Sequence, residues 1–366
     1  YRHPNFSMNW QRLREKILGD IYPDEEELEE SKELYQKISN FIAEEYGLET
    51  HFAGSTSRET CMKGDKDIDI FVLFPEDTER QDLEDKGLEI GKNTFREFDG
   101  EFEVDYAEHP YTKGEIGGHE VEIVPCFNVG PENIQSAVDR TPHHSRWVKE
   151  NLSEDERKDV VILKKFLKEA GLYGSSLKVR GFSGYLCEIL ISEFSGFKEL
   201  VDSAGDWKEE KLLDPRNHHE KLPDGLEDKF SEDSLIVIDP VDSDRNVASV
   251  LSTENYAKFV YNCWKFSEDP GLSYFQEEES DWTKFELKQG VQGRGDFIAV
   301  GFTRPDEVDD LVYPQMRKFM RLMRKKLEKR DFRIFESGFQ VEEESVRFFF
   351  EMESILPVVE EIEGPK

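Results

Sequence analysis

Asp67 to Phe74, DIDIFVLF, alternates charged with apolar side chains. That is the period of a strand with one buried face, and Pro75 ends it. Upstream, Leu28, Leu34, Ile38 and Ile42 share one face of a helical pattern, so residues 9–47 read as helical. The acidic run Asp24–Glu30 reads as a solvated first turn of that pattern. Residues 81–95 also read as helix. Strands follow around Phe102–Tyr106 and His119–Val124, the second ended by Pro125. The order helix, strand, helix, strand, strand predicts a small mixed sheet covered by helices on one face.

A second region opens near Asp139. Ser153-x-x-Glu156 is a capping box that starts a helix over 154–170, and Gly171 closes it. Ser183 caps the next helix, which buries Leu186, Ile189 and Leu190. Residues 203–234 are polar and read as a surface excursion, Leu235–Asp239 as a short strand and Tyr256–Phe266 as an aromatic helix. From about 268 the pattern is strand 296–302, helix 314–330, strand 332–339 and strand 345–352. This β-α-β-β order predicts part of a ferredoxin-like layer. The fold class is α+β, divided at 8–138, 139–267 and 268–366. Residues 1–7 precede Met8 and match no element.

Composition limits the function. The chain has 366 residues, 37% of them hydrophobic and 27 of them Phe, enough for a large core. No apolar run approaches the roughly 18–20 residues that span a bilayer. Cys61, Cys126, Cys187 and Cys263 are dispersed without a CxxC pair, which argues against zinc or a disulfide framework and for reduced thiols in a cytoplasmic protein. The net charge of −33 is unusual for a nucleic-acid enzyme, whose partner is a polyanion. A high-salt cytosol would explain it, and so would a partner other than nucleic acid.

The chemistry concentrates in Gly54-Ser55-Thr56-Ser57-Arg58 and Asp67-Ile68-Asp69-Ile70. Residues two apart on a strand share a face, so Asp67 and Asp69 stand side by side while Ile68 and Ile70 point to the core. Adjacent carboxylates repel unless a cation lies between them. Mg²⁺ suits oxygen ligands and nucleotide phosphates. Two such ions, about 3.5–4 Å apart, would stabilise both an attacking hydroxyl and a leaving pyrophosphate. Gly54 lets the backbone approach a phosphate, Ser55 adds a hydroxyl and Arg58 a fixed positive charge.

A glycine-serine turn before Asp-x-Asp resembles the nucleotidyltransferase superfamily of DNA polymerase beta and poly(A) polymerases. GSTSRET, GDKDIDIFVLFP, YAEHPY, VEIVPCF, DRTPHH, LYGSSLKVRGFSGYLCE and DPVDSDRNVA more closely resemble the archaeal, class I CCA-adding tRNA nucleotidyltransferases, over roughly 8–352. The resemblance implies a catalytic palm domain with a mixed sheet, a helical central domain that completes the site, and a tRNA-binding C-terminal body domain. It implies template-free addition of C, C and A to the tRNA acceptor end from CTP and ATP, with two Mg²⁺ ions and a homodimer as the candidate assembly. Glu122 stands where the family usually has Asp as third metal carboxylate, with Glu120 as its rival on the same face. Thr141, His144, Lys164 and Tyr173 match residues placed around the triphosphate and sugar, and His109 lies near the site by the same likeness. Arg245 matches a base-pocket arginine, with Asp239 or Asp242 to orient it. Arg317, Arg321 and Arg324 share a face of the 314–330 helix and are candidate RNA contacts. Family members usually continue past a point corresponding to Pro357, so the resemblance implies a shortened body. Poly(A) addition, oligonucleotide second-messenger synthesis and a non-catalytic RNA-binding module are the other readings.

Overall fold

A computed structural model describes residues 6–106, 108–277 and 295–353. Residues 9–47 form two helices, α1 (Phe6–Ile21) and α2 (Glu25–Tyr46), because Pro23 breaks the run and Asp24 caps α2 through the Glu27 amide. Next come β1 (Glu49–Phe52), the short α3 (Gly54–Ser57), β2 (Asp67–Phe74) and α4 (Arg80–Glu97). Three strands follow, β3 (Glu101–Tyr106), β4 (Pro110–Ile116) and β5 (His119–Phe127), where the pattern predicted two. The strand order is β1-β2-β5-β4-β3, with β2 and β5 parallel and all other neighbours antiparallel. Ile68, Ile70 and Val72 of β2 and Val121 and Ile123 of β5 are fully buried against Ile38 and Ile42 of α2 and Leu83, Ile90 and Phe95 of α4. α2 and α4 cover this face, and Asp67, Asp69, Glu120 and Glu122 stand on the opposite one.

The helical part packs on a second core. It comprises α5 (Arg140–Asn151), α6 (Glu154–Glu169), α7 (Gly184–Phe194), α8 (Phe197–Ala204) and α10 (Thr253–Glu268), with β6 (Lys211–Leu213), α9 (Asp224–Phe230) and β7 (Leu235–Val237) between them. The excursion predicted over 203–234 thus holds the end of α8 and two further elements. Both sides of the Ser153–Glu156 capping box are formed, and Ser183 caps α7 through the Leu186 amide. All four cysteines are free and buried. Arg14 ties α1 to α6 through Asp159, Nε to Oδ1 at 2.6 Å.

By contact the described residues up to Ser175 and from Arg180 to Glu277 form one compact unit. Ser176–Val179 clusters with residues 295–353 in the other. In that second unit β8 (Asp296–Thr303), β9 (Ile334–Val341) and β10 (Ser345–Met352) pair in the order β8-β10-β9, both pairs antiparallel, beside α11 (Asp309–Glu328). This is the split β-α-β part of a ferredoxin-like layer. Val312, Met316 and Met320 of α11 bury against Val346, Phe348 and Phe350. Among the described residues no helix is long and apolar enough to cross a membrane.

Candidate active site

The strand register builds the site. On parallel β2 and β5, Asp67 is opposite Glu120 and Asp69 opposite Glu122. Side chains at paired positions share a face, so four carboxylates form a block about one strand spacing, ~4.8 Å, wide. Further along this face Phe71, Val124 and Cys126 turn it apolar beside Ala53. The crowding is visible in the acidities. Burial, with Asp67 and Glu120 beside it, raises Asp69 to about 6 against the pull of Arg58. Burial and then Asp69 raise Glu122 to about 7. Asp67 is also raised, by burial, Asp65 and Glu120. Lys113 of β4 is opposite Glu122 and bonds Asp105 at 2.7 Å, giving the block one cationic neighbour that the sequence did not single out.

Gly54 adopts φ +71°, and a Cβ there would run into the Asp69 carboxylate. Only glycine lets α3 start directly over that acid. Ala53 anchors the approach by donating its N–H to the Asp69 carbonyl at 2.9 Å. Ser55, half-buried, follows at once. The donor set is all oxygen, comes from two adjacent strands and carries excess negative charge, which fits a hard divalent ion such as Mg²⁺. Among the described residues no three His, Cys, Asp or Glu side chains are placed to hold a metal ion together, so the strand register aligns Asp67, Asp69 and Glu122 without closing them into a ligand set.

Arg58 is 8% exposed and engaged on both sides. Its Nε donates to Glu188 Oε1 at 2.8 Å and its Nη1 to Ser145 Oγ at 3.1 Å. Thr60 Oγ1 donates to the same Glu188 oxygen at 2.6 Å. The arginine expected to meet a triphosphate is therefore held in a buried ion pair, while its charge still acts on Asp69 and His144. Lys164, 2% exposed, donates Nζ to the Thr60 carbonyl at 2.7 Å. Burial lowers its pKa, and Glu188 opposes that. The Tyr173 hydroxyl and the Lys164 amine both border Gly184 at the start of α7.

Thr141 lies half-buried in the first turn of α5. His144, one turn on, stacks on Tyr185 with centroids 4.0 Å apart and donates Nε2–H to Asp239 Oδ2 at 3.0 Å. Arg245 Nη1 donates to the same oxygen at 2.6 Å, so Asp239 and not Asp242 orients it; Asp242 accepts from Arg140 instead. The Tyr185 hydroxyl and the Val241 N–H meet the other oxygen, Oδ1, at 3.2 and 2.9 Å. Burial alone would raise Asp239, but the His144 hydrogen bond, followed by His144, the Val241 N–H and Arg245, holds it at about 2. Burial lowers His144 despite Asp239. A neutral ring with its proton on Nε2, facing a carboxylate, satisfies both groups. His109 is buried, with Nδ1 3.4 Å from Glu84 Oε1.

In the second unit, Arg317 donates to the carbonyls of Leu177 and Lys178 and lies over the Tyr313 ring, so its guanidinium is taken up by protein. Arg321 is exposed, and Arg324 bonds Glu328 one turn on at 2.8 Å. Sequence reasoning missed Glu188, Tyr185, Ser145 and Lys113. Glu188 did leave a signal, as a lone acid within the apolar run of GYLCEILIS.

Residues 23–144 match the nucleotidyltransferase domain family, residues 158–276 the second domain of tRNA nucleotidyltransferases, and residues 294–366 the C-terminal domain of CCA-adding enzymes. The CCA-adding enzyme of Archaeoglobus fulgidus is 40% identical over 347 residues, 94% of this chain and 76% of that protein. That of Methanocaldococcus jannaschii is 37% identical over 338 residues, 89% of this chain and 74% of that protein. Among solved structures, the Cid1 poly(U) polymerase superposes with a TM-score of 0.59 at 12% identity, over 74% of this chain and 99% of that one. At that identity the likeness concerns the fold.

Proposed function

The chain belongs to the archaeal-type CCA-adding tRNA nucleotidyltransferases, and we propose that its paired-strand carboxylates are the catalytic centre for their reaction. That reaction is template-independent addition of C, C and A to the 3′ end of tRNA from CTP and ATP. One observation carries the assignment of the site: Asp69 and Glu122 stand in register on parallel strands, directly beside the glycine at which α3 begins.

Asp67, Asp69 and Glu122 would hold the metal, magnesium in this reading and two ions of it. When bound, the metal supplies charge that stabilises the attacked phosphate and the departing pyrophosphate. Glu122 reaches one methylene further than the Asp that the family usually carries, and Lys113 beside it limits where its head can settle. Gly54 and Ser55 offer backbone and hydroxyl to the phosphates. Arg58, fixed by Glu188 and Ser145, contributes charge from a rigid position, and rigid charge loses little to reorganisation. Lys164, Tyr173, Thr141 and His144 line the triphosphate and sugar side, and Arg245 the base. Residues 8–138 form the palm, 139–267 complete the nucleotide site and 268–366 bind tRNA, where Arg321 and Arg324 are the candidate backbone contacts. Sedimentation of the purified chain tests the homodimer.

The activity test offers CTP and ATP, singly and together, with a tRNA ending at its discriminator base. The reading expects two C and one A, then arrest. Long homopolymer tails or no incorporation would set it aside.

A further inference from the structure

Arg245 and His144 come from elements far apart in sequence, yet both donate to one oxygen of Asp239, and that carboxylate cannot move. It is 0% exposed, so no bulk water competes for its lone pairs. Its second oxygen is pinned by the Tyr185 hydroxyl and the Val241 amide, while Tyr185 also stacks on His144. The Arg245 side chain, 36% exposed, reaches outward from this anchor. We propose that Asp239 is a positioning residue for nucleotide choice, holding the base-side Arg245 and the sugar-side His144 in one fixed geometry. The inference rests on the nucleotide site assigned above.

Without a template strand, the protein must tell bases apart by fixed donors and acceptors. Cytosine and adenine both present a ring nitrogen acceptor next to an exocyclic amine, whereas uracil and guanine present a ring N–H next to a carbonyl. A guanidinium only donates. Held in place, Arg245 suits the acceptor that C and A share and leaves the ring N–H of U unpaired, which is costly in a buried site. Free to swing, the same guanidinium would find a carbonyl of U. Discrimination therefore depends on what restrains Arg245. Because His144 leans on the same oxygen, a change on the sugar side is transmitted to the base side.

The test compares wild type, Asp239→Asn, Tyr185→Phe, Arg245→Ala and the Asp239→Asn/Arg245→Ala double variant, with melting curves to verify folding. Asp239→Asn keeps the shape but turns an amine toward one of the two donors. The ratio of kcat/KM for CTP to that for UTP should fall by about tenfold or more. Tyr185→Phe should lower the ratio by about two- to fivefold, through loss of one anchoring bond. The losses of Asp239→Asn and Arg245→Ala should not add in the double variant, because both act through Arg245. If the wild type adds C, C and A while Asp239→Asn discriminates like the wild type, the inference fails and the assigned activity stands. Additive losses would equally refute it. If Asp239→Asn does not fold, an unchanged CTP:UTP ratio in Tyr185→Phe refutes it. A wild type that adds no nucleotides overturns the activity itself.

Discussion

Arg58 shows why a charged residue's role depends on its surroundings. With Glu188 at 0% exposure, removing the guanidinium leaves a carboxylate buried without its countercharge. Breaking such a pair costs about 3–5 kcal/mol, whereas replacing both partners by apolar residues is often neutral. Arg58→Ala should therefore lower the denaturation midpoint strongly, and Arg58→Met/Glu188→Leu should recover most of the loss while staying inactive. A double variant that regains activity along with stability would show that Arg58 is only a structural strut. His51 on β1 gives a pH signature. Burial, then Lys149, Arg146, Arg58 and His143, lower it to about 4. The folded protein holds the ring neutral. Its contribution to stability is thus complete above the ordinary value of 6.5 and is lost as pH falls from there through about 4. An NMR titration of the His51 ring should be flat from pH 7.5 to 5, and a midpoint near 6.5 would contradict this. At this scale the sequence disclosed Asp67 and Asp69, because strand alternation is a local rule. It hid Tyr185 and Ser145, because their partners, Asp239 and Arg58, come from other elements.

At the scale of elements, strength of pattern decided what could be read. β2 and β10 were plain, since each carries a dense apolar face. β4 was not, because Gly114 and Lys113 interrupt its apolar positions and Pro110 opens it. The break between α1 and α2 was hidden because helical periodicity continues on both sides of Pro23. Helix α11 carries the argument about RNA. Its inward side buries Val312, Met316 and Met320, and only the structure separates Arg317, taken up by the 177–178 carbonyls, from exposed Arg321. Arg321→Glu should raise KM for tRNA severalfold, leave KM for CTP unchanged and reduce the salt slope of binding by about one. Arg317→Glu acting through RNA charge alone, with no change in thermal stability, would contradict this division.

For the whole molecule, a net charge of −33 has to coexist with a polyanionic substrate. Self-repulsion of that size weakens the compact state. Raising ionic strength from 0.1 to 1 M shortens the screening length from about 10 to about 3 Å. Tm should rise over that interval, and a fall would mean that ion pairs outweigh the repulsion. The central claim, however, is that the carboxylates paired across β2 and β5 perform the transfer. Single-turnover incorporation of CTP onto a tRNA lacking its CCA end, by wild type and by Asp69→Asn, tests it most directly, once melting curves show both to be folded. Wild type should add nucleotides in a magnesium-dependent way, and Asp69→Asn should be slower by about 10³-fold or more, in the range lost when one stabilising group of a transition state is removed. An Asp69→Asn variant that extends the tRNA at the wild-type rate would place the chemistry elsewhere.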